Sequence, residues 1–281
     1  MTLAAPTQLG SPGTGRLAPL PPGRYGLLGA LRSEWTKLRT VRSTLWTLGI
    51  TVVLGIGLGA VAAATTAARW STASLAEQLT FDPVRVSLTG ILLAQLAVGI
   101  LGVLVMTAEY GTGTIRATLA AIPHRRLVLV AKGIVFGLVA LVVGEVVSFA
   151  AFFLGQSLLT APAPHTTLGA PDVLRAVVGG GLYLTVLGLL ALGLAAIIRH
   201  TAGAISAFVA ALLILPLIVA ALPSSIGGPI GRYLPANSGV TLVSVRSDPA
   251  SFSPWVGLGV LAGYAAALLV LGGILLRRRD A

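Results

Sequence analysis

The residues able to do chemistry in this chain are few, and their spacing excludes more than it allows. Lysine occurs only at Lys37 and Lys132, after Thr36 and Ala131. No Gly-Lys dipeptide is therefore available to hold phosphates as a P-loop does, and a Walker-type ATPase is not expected in this chain. The histidines His124, His165 and His200 stand apart, without the paired spacing a metal needs, and cysteine is absent. Ser206, Ser224 and Ser225 lack a Gly-x-Ser-x-Gly setting, and no carboxylate pair has hydrolytic spacing. The expectation is a non-enzymatic chain with no catalytic residue, no metal ligand and no cofactor of its own.

What remains is one polar segment and two polar side chains in apolar surroundings. The segment runs from Glu109 to Arg126. After Gly113, Thr114 is placed to cap a short helix whose Ile115, Thr118, Leu119 and Ile122 share a face, and Pro123 stops it. Glu109 falls just inside an apolar block, where a carboxylate needs an arginine partner or backbone amides to cap. A short, rigid, partly apolar helix offered to the cytosol suits a unit that receives force from a soluble partner. A plain loop whose arginines anchor lipid headgroups is the alternative. Gln95 and Glu145 fall at similar depth on neighbouring apolar blocks, within reach of a hydrogen bond. Glu145 then either serves a substrate pathway or a protonatable hinge, or, protonated, ties two helices together.

The elements that carry these groups follow from composition. Of 281 residues, 56% are hydrophobic and 10% charged, with mean hydropathy +0.95. A soluble globule runs near one-quarter charged, so this class is excluded. The fold class expected is an all-α membrane protein of six transmembrane helices, with an N-terminal amphipathic interface helix and a short cytoplasmic coupling helix. The spans read as Leu45–Ala64, Ser87–Ala108, Val128–Leu154, Val177–Ile198, Ala202–Leu222 and Val256–Leu276, each about 30 Å long at 1.5 Å per residue. Residues 1–25, rich in Pro and Gly, read as a flexible cytoplasmic tail, and 26–281 as one six-span transmembrane domain. Leu27, Leu28, Leu31, Trp35 and Leu38 face one way, and Arg32, Ser33, Thr36, Lys37 and Arg39 the other. This stretch either lies flat on the membrane or extends the first span into the cytosol. Pro216 should kink the fifth span, and the short Arg199-His200-Thr201 turn makes spans four and five antiparallel neighbours. Residues 223–255, with the apolar run Gly239–Val245, are either a re-entrant piece or an ordered loop. Gly179-Gly180-Gly181 and Gly55, Gly57 and Gly59 are candidates for a dimer seam.

Charge gives the orientation. Fourteen of the 19 Lys and Arg fall on the side of the amino terminus and five opposite, which predicts both termini in the cytoplasm. No basic stripe with interleaved aromatics occurs, so no nucleic-acid partner is expected. The lipid bilayer of the cell (plasma) membrane is the expected surroundings.

Glu109, Gly113, Thr114, Ile115, Leu119, Pro123 and Arg126 together resemble the Glu-x-x-x-Gly-Thr-aliphatic…Leu-x-x-x-Pro-x-x-Arg pattern of ABC transporter permeases of the type-2, exporter-like class. The run from Ser33 to Ser43 is similar to the start of many actinobacterial members, and the turn from Leu234 to Gly239 fits the same plan. The resemblance spans about residues 30–280; the tail 1–25 falls outside it. It implies a subunit that pairs with a separate ATPase carrying ATP and Mg, and with a second permease copy as homo- or heterodimer. Under it, 111–123 form the coupling helix, and Glu109, Gly113, Thr114, Ile115, Arg116, Leu119, Pro123 and Arg126 couple to the ATPase. It also implies a re-entrant piece within 223–255 and a cavity lined by spans two and five of two copies. The implied function is export of a drug, peptide or lipid-like substrate by alternating access. A secondary transporter and a non-transporting immunity or scaffold protein are the alternatives.

Overall fold

A chain this apolar must satisfy its backbone amides internally, and helices do so without help from neighbours. The computed structural model describes residues 26–115, 118, 125–246 and 251–278, and among these there are helices and no strand. The expected tail 1–25 lies outside the described residues, as do Arg116, Leu119 and Pro123.

In chain order the helices are α1 (Leu27–Thr40), α2 (Arg42–Arg69), α3 (Leu75–Thr80), α4 (Pro83–Ser87), α5 (Ile91–Gly111), α6 (Arg125–Leu158) and α7 (Val173–Ile198). They continue as α8 (Thr201–Val209), α9 (Leu215–Ala220), α10 (Ser224–Gly231), α11 (Pro235–Val240) and α12 (Pro254–Arg278). Six helical stretches are long and apolar enough to cross a membrane: α2, α5, α6, α7, the joined α8–α9, and α12. The six-span plan read from the sequence holds, with ends that move by a few residues.

The second span starts at Ile91 rather than Ser87. Asp82 ends the extended backbone before Pro83, and its Oδ1 accepts from the amides of Val84 and Arg85 at 3.0 and 3.1 Å. An acidic N-cap followed by proline at the first helical position starts a helix of its own, which is α4. In the fifth span, the π-type turn Ala210–Ile214 sits immediately before Leu215 and Pro216. This wider turn absorbs the amide that Pro216 lacks and its ring's clash with the preceding turn.

The spans divide into a core and a shell. In α5, α6 and α7 half or more of the most apolar stretch is buried within the chain, against about one-fifth in α2, α8–α9 and α12. Helix α7 is the centre, packed against α5, α6 and α12. Its three consecutive glycines each meet a different neighbour. A Cβ on Gly179 would sit 3.0 Å from the Leu242 side chain, one on Gly180 2.5 Å from Ser148 Oγ, and one on Gly181 2.5 Å from the Glu145 carboxyl. Helix α2 crosses the same way, with Gly59 pressed against the Ser87 carbonyl and Gly55 against Val147. Apart from Gly57, which touches nothing, the glycines expected at a dimer seam are therefore packed inside the chain.

The apolar run of the last outer segment is buried for a reason. Leu242 and Val243 are fully covered, and Gly239 lies against the ring of Tyr183. Tyr183 is ten residues into α7 from Val173, a depth of about 15 Å. Helix α11 also packs against the π-type turn of the fifth span. Residues 234–243 thus fold back between the spans. Their end is fastened by Asp82, whose Oδ2 accepts from Ser244 Oγ at 2.8 Å and from the Val245 amide at 2.9 Å. Arg175 donates to the carbonyls of Leu242 and Ser244 at 3.3 and 3.0 Å.

Gly90 gives a direct test of the crossings. Its backbone is helical, yet an added Cβ would stand 2.0 Å from the Gly55 carbonyl oxygen. Gly90→Ala should destabilise the detergent-solubilised protein by about 1–3 kcal/mol, read as a lowered Tm, because α2 must back away. Gly57→Ala, in open space, should leave Tm unchanged.

Candidate functional site

Helix α1 buries the stripe Ala30, Glu34 and Leu38, spaced at i, i+4 and i+8, with its body packed on α6. The sequence reading placed Lys37 on the outward polar face; instead Lys37 turns inward, while Leu28 and Trp35 are exposed. The cause is Glu34, a carboxylate in the middle of a buried stripe that needs cations within reach. Lys132 Nζ lies 2.7 Å from Glu34 Oε2 and 2.7 Å from Glu109 Oε1. Lys37 Nζ lies 2.8 Å from Glu34 Oε1 and 2.8 Å from Glu109 Oε1.

These four residues form a square of alternating sign with no net charge, joining α1, the end of α5 and the start of α6. It takes both lysines of the chain. Lys132 is 2% exposed, Glu34 4% and Glu109 8%. A compact ammonium with three donors can bridge two carboxylates in this way, where a planar guanidinium would demand one broad face. Burial alone would pull the Lys37 ammonium down. Hydrogen bonds to Glu109 and Glu34, and their charges, outweigh it and hold the group above the usual lysine range. The second oxygen of Glu109, Oε2, is buried without a hydrogen-bond partner among the described residues.

Glu109 was expected to pair with arginine or cap amides; it pairs with two lysines from helices far away in sequence. Lys132 was counted with the loop charges, although it stands inside the third span. A lone intramembrane cation at the depth of a lone carboxylate was the signal that could have joined them. Glu34 carried no such signal, since α1 alone does not say which face α6 covers.

Beyond Glu109 the chain turns sharply. Thr112 caps α5 through its amide and its hydroxyl, which donates to the Ala108 carbonyl at 2.9 Å. Gly113 has φ +71°, a left-handed conformation in which a side chain is strained. The hydroxyls of Thr112 and Thr114 are 2.8 Å apart, and Thr114, Ile115 and Thr118 are helical, with Ile115 buried. The remainder of the expected coupling helix lies outside the described residues. Arg126 is exposed, at the mouth of an apolar groove of about 730 Å³ between α6, α7 and α12.

Gln95 and Glu145 are not brought together. Gln95 accepts a short hydrogen bond from the Tyr183 hydroxyl and donates to the Leu92 carbonyl at 2.8 Å. Glu145 lies against Gly181 instead, and its Oε2 is buried without a partner among the described residues. Equal depth was not enough, because the two side chains leave their helices toward different parts of α7.

Residues 30–220 match the family model described as ABC-2 family transporter protein. The chain belongs to the ABC-2 transporter family. The match opens inside α1, closes at the last residue of α9, and includes the whole charge square and the loop after Glu109. No curated protein matches the chain. This ABC-2 protein is therefore a multi-pass membrane protein and a permease subunit of an ABC transporter. Subunits of this family generally dimerise, associate with an ABC ATPase and are not themselves catalytic.

The square predicts an asymmetric mutational response. Lys132→Met leaves two buried carboxylates sharing one lysine and should cost about 3–5 kcal/mol, measured by thermal or denaturant unfolding in detergent. Adding Glu109→Gln to it restores neutrality and should recover most of that loss. Because the Lys37 value is raised, its contribution is complete below the ordinary lysine value of 10.5 and is lost as pH rises through the raised one. Unfolding stability should therefore show no Lys37-dependent change between pH 6 and 9, roughly, and decline only in strong alkali.

Proposed function

We propose that this chain is the transmembrane half of an ATP-driven exporter in which the charge square carries motion from the ATPase contact into the spans. The ATPase, carrying ATP and Mg, is a separate subunit, and a second permease copy completes the pathway. Both termini lie in the cytoplasm of a cell whose plasma membrane holds the protein. Residues 26–281 act as one permease domain. The substrate is a drug, a peptide or a lipid-like molecule, moved by alternating access.

The observation that carries this reading is the position of the square. It sits at the root of the 111–125 connection, where it locks the surface helix α1 to the last turn of α5 and the first turns of α6. A push on that connection cannot move α5 or α6 alone, since separating either would leave an uncompensated charge in a region of low dielectric. The three helices therefore move as one body, and α1 would slide along the headgroup region with Leu28 and Trp35 in the interface. In this reading Gly113, Thr114, Ile115, Arg116, Leu119, Pro123 and Arg126 meet the ATPase, while Glu109 stays behind as an anchor. The left-handed turn at Gly113 directs the chain from the span into the contact helix. The π-type turn ahead of Pro216 is the flexible point of the fifth span, which in the family lines the central cavity with the second span.

Purification of the tagged chain in mild detergent from its host should bring down a P-loop ATPase in stoichiometric amount. Thr114→Trp, at an exposed position beside the turn, should remove that ATPase while leaving Tm unchanged. Retention of the ATPase by Thr114→Trp would move the contact elsewhere. Absence of any ATPase under several mild conditions would sink the reading and bring the secondary transporter forward.

A further inference from the structure

An odd number of crossings separates α1 from Arg69, Arg85, Arg175, Arg232 and Arg246, which puts them on the face remote from it. Four of these five line a single open cavity of about 950 Å³, formed by the re-entrant segment, the end of the fifth span and the connections near α4 and α12. No carboxylate lines it among the described residues. Among the described residues, the two carboxylates that bond its lining residues are already engaged. Asp82 is buried, with both oxygens accepting from α4 and from residues 244–246, and Asp172 pairs with Arg175 at 3.0 Å.

The four guanidinium groups divide into two kinds. Arg175 and Arg246 are fixed by backbone carbonyls: Arg175 by those of Leu242 and Ser244, and Arg246 by those of Leu79 and Phe81 at 2.6 and 3.3 Å. Arg85 and Arg232 make no ion pair among the described residues. The guanidinium of Arg232 lies over the rings of Tyr233 and Phe252, 5.1 and 5.4 Å from their centres, which helps to hold it in place. Four like charges facing one volume repel one another, and an anion among them relieves that repulsion. Below the arginines the wall turns apolar, with Pro216, Val219, Ala220 and Leu222 of the fifth span. The outer surface of that same helix is apolar and open, Leu217 being 70% and Ile218 55% exposed. A charged rim above an apolar wall, beside a lipid-facing helix, has the polarity of an amphiphile.

We infer that this cavity binds an amphiphile by an anionic, phosphate-bearing headgroup, with Arg85 and Arg232 gripping the phosphate oxygens and Arg175 and Arg246 fixing the shape and field around them. Planar donor forks match phosphate geometry, and the volume lies at the upper end of ordinary ligand sites, larger than a phosphate alone fills. The inference stands on the fold alone. Its test involves no ATPase and no membrane sidedness, so it can fail while the transport reading stands, and the reverse.

The test is native mass spectrometry of the full chain, stripped of lipid in neutral detergent and offered phosphatidic acid or phosphatidylcholine with identical acyl chains. Phosphatidic acid should bind about tenfold tighter, and the double variant Arg85→Gln/Arg232→Gln should weaken it by about ten- to hundredfold with Tm unchanged, both side chains being exposed. Arg69→Gln, outside the cavity, should leave binding as it was. Inorganic pyrophosphate serves as the competitor that separates the two sources of phosphate. If the lipid is retained against equimolar pyrophosphate, the amphiphile is supported; displacement would overturn it in favour of a water-soluble phosphate compound. Equal binding of the two lipids, or a double variant that binds like the unaltered chain, would overturn the site itself.

Discussion

Three buried charges and one half-buried lysine at the root of two spans set the terms for the rest of this protein. A single ammonium or carboxylate at that depth would be costly, and an isolated pair would still lack partners for its remaining donors and acceptors. Glu34, Lys37, Glu109 and Lys132 solve this jointly, since each lysine touches both glutamates at 2.7 to 2.8 Å. The consequence is mechanical. Helix α1, joined to α2 only through the extended residue Val41, is held by charge on α5 and α6. Lifting it off would break the Lys37–Glu109 and Lys132–Glu34 contacts and leave Glu109 and Lys132 with only each other.

Above the square, cohesion has a different origin. Lipid tails are as apolar as leucine, so burying leucine between spans yields little, and close contact of backbones yields more. The core follows that rule: α2, α6 and α7 approach α5 and one another where glycine or serine replaces a larger side chain, as at Gly59, Gly90, Gly180 and Ser148. Ser148 Oγ even donates to the Val177 carbonyl at 2.5 Å. At the far end, polar side chains take over again. Gln156 donates to the Pro83 carbonyl and Ser87 hydroxyl at 3.0 and 2.9 Å and accepts from the Thr166 amide at 2.7 Å. Asp82 gathers α4 and the end of the re-entrant segment in the same manner.

The two ends of the bundle handle charge in opposite ways. Near α1, cations and anions are matched and neutral, and the result is rigidity. On the remote face, four arginines surround an open volume with one carboxylate partner among the described residues, Asp172 on Arg175, and the result is a net positive field. One arrangement suits the transmission of movement and the other suits the reception of an anion.

Sequence alone determined the class, the six spans and the short turn at Arg199-His200. Those features depend on local composition and on period: a span needs about 20 apolar residues wherever it stands, and a Gly-Thr step after a span ends it in any context. Family membership followed from the same local pattern. What the tertiary structure alone decided is which polar groups meet. Glu109 paired with lysines of α1 and α6, Gln95 with Tyr183, and the three glycines of α7 with three separate neighbours rather than a second copy. The remote arginines converged because the re-entrant segment folds back beside α4 and the fifth span. Such pairings depend on the rotation of each helix about its axis, and a helix apolar on every side carries almost no record of that angle in its own residues.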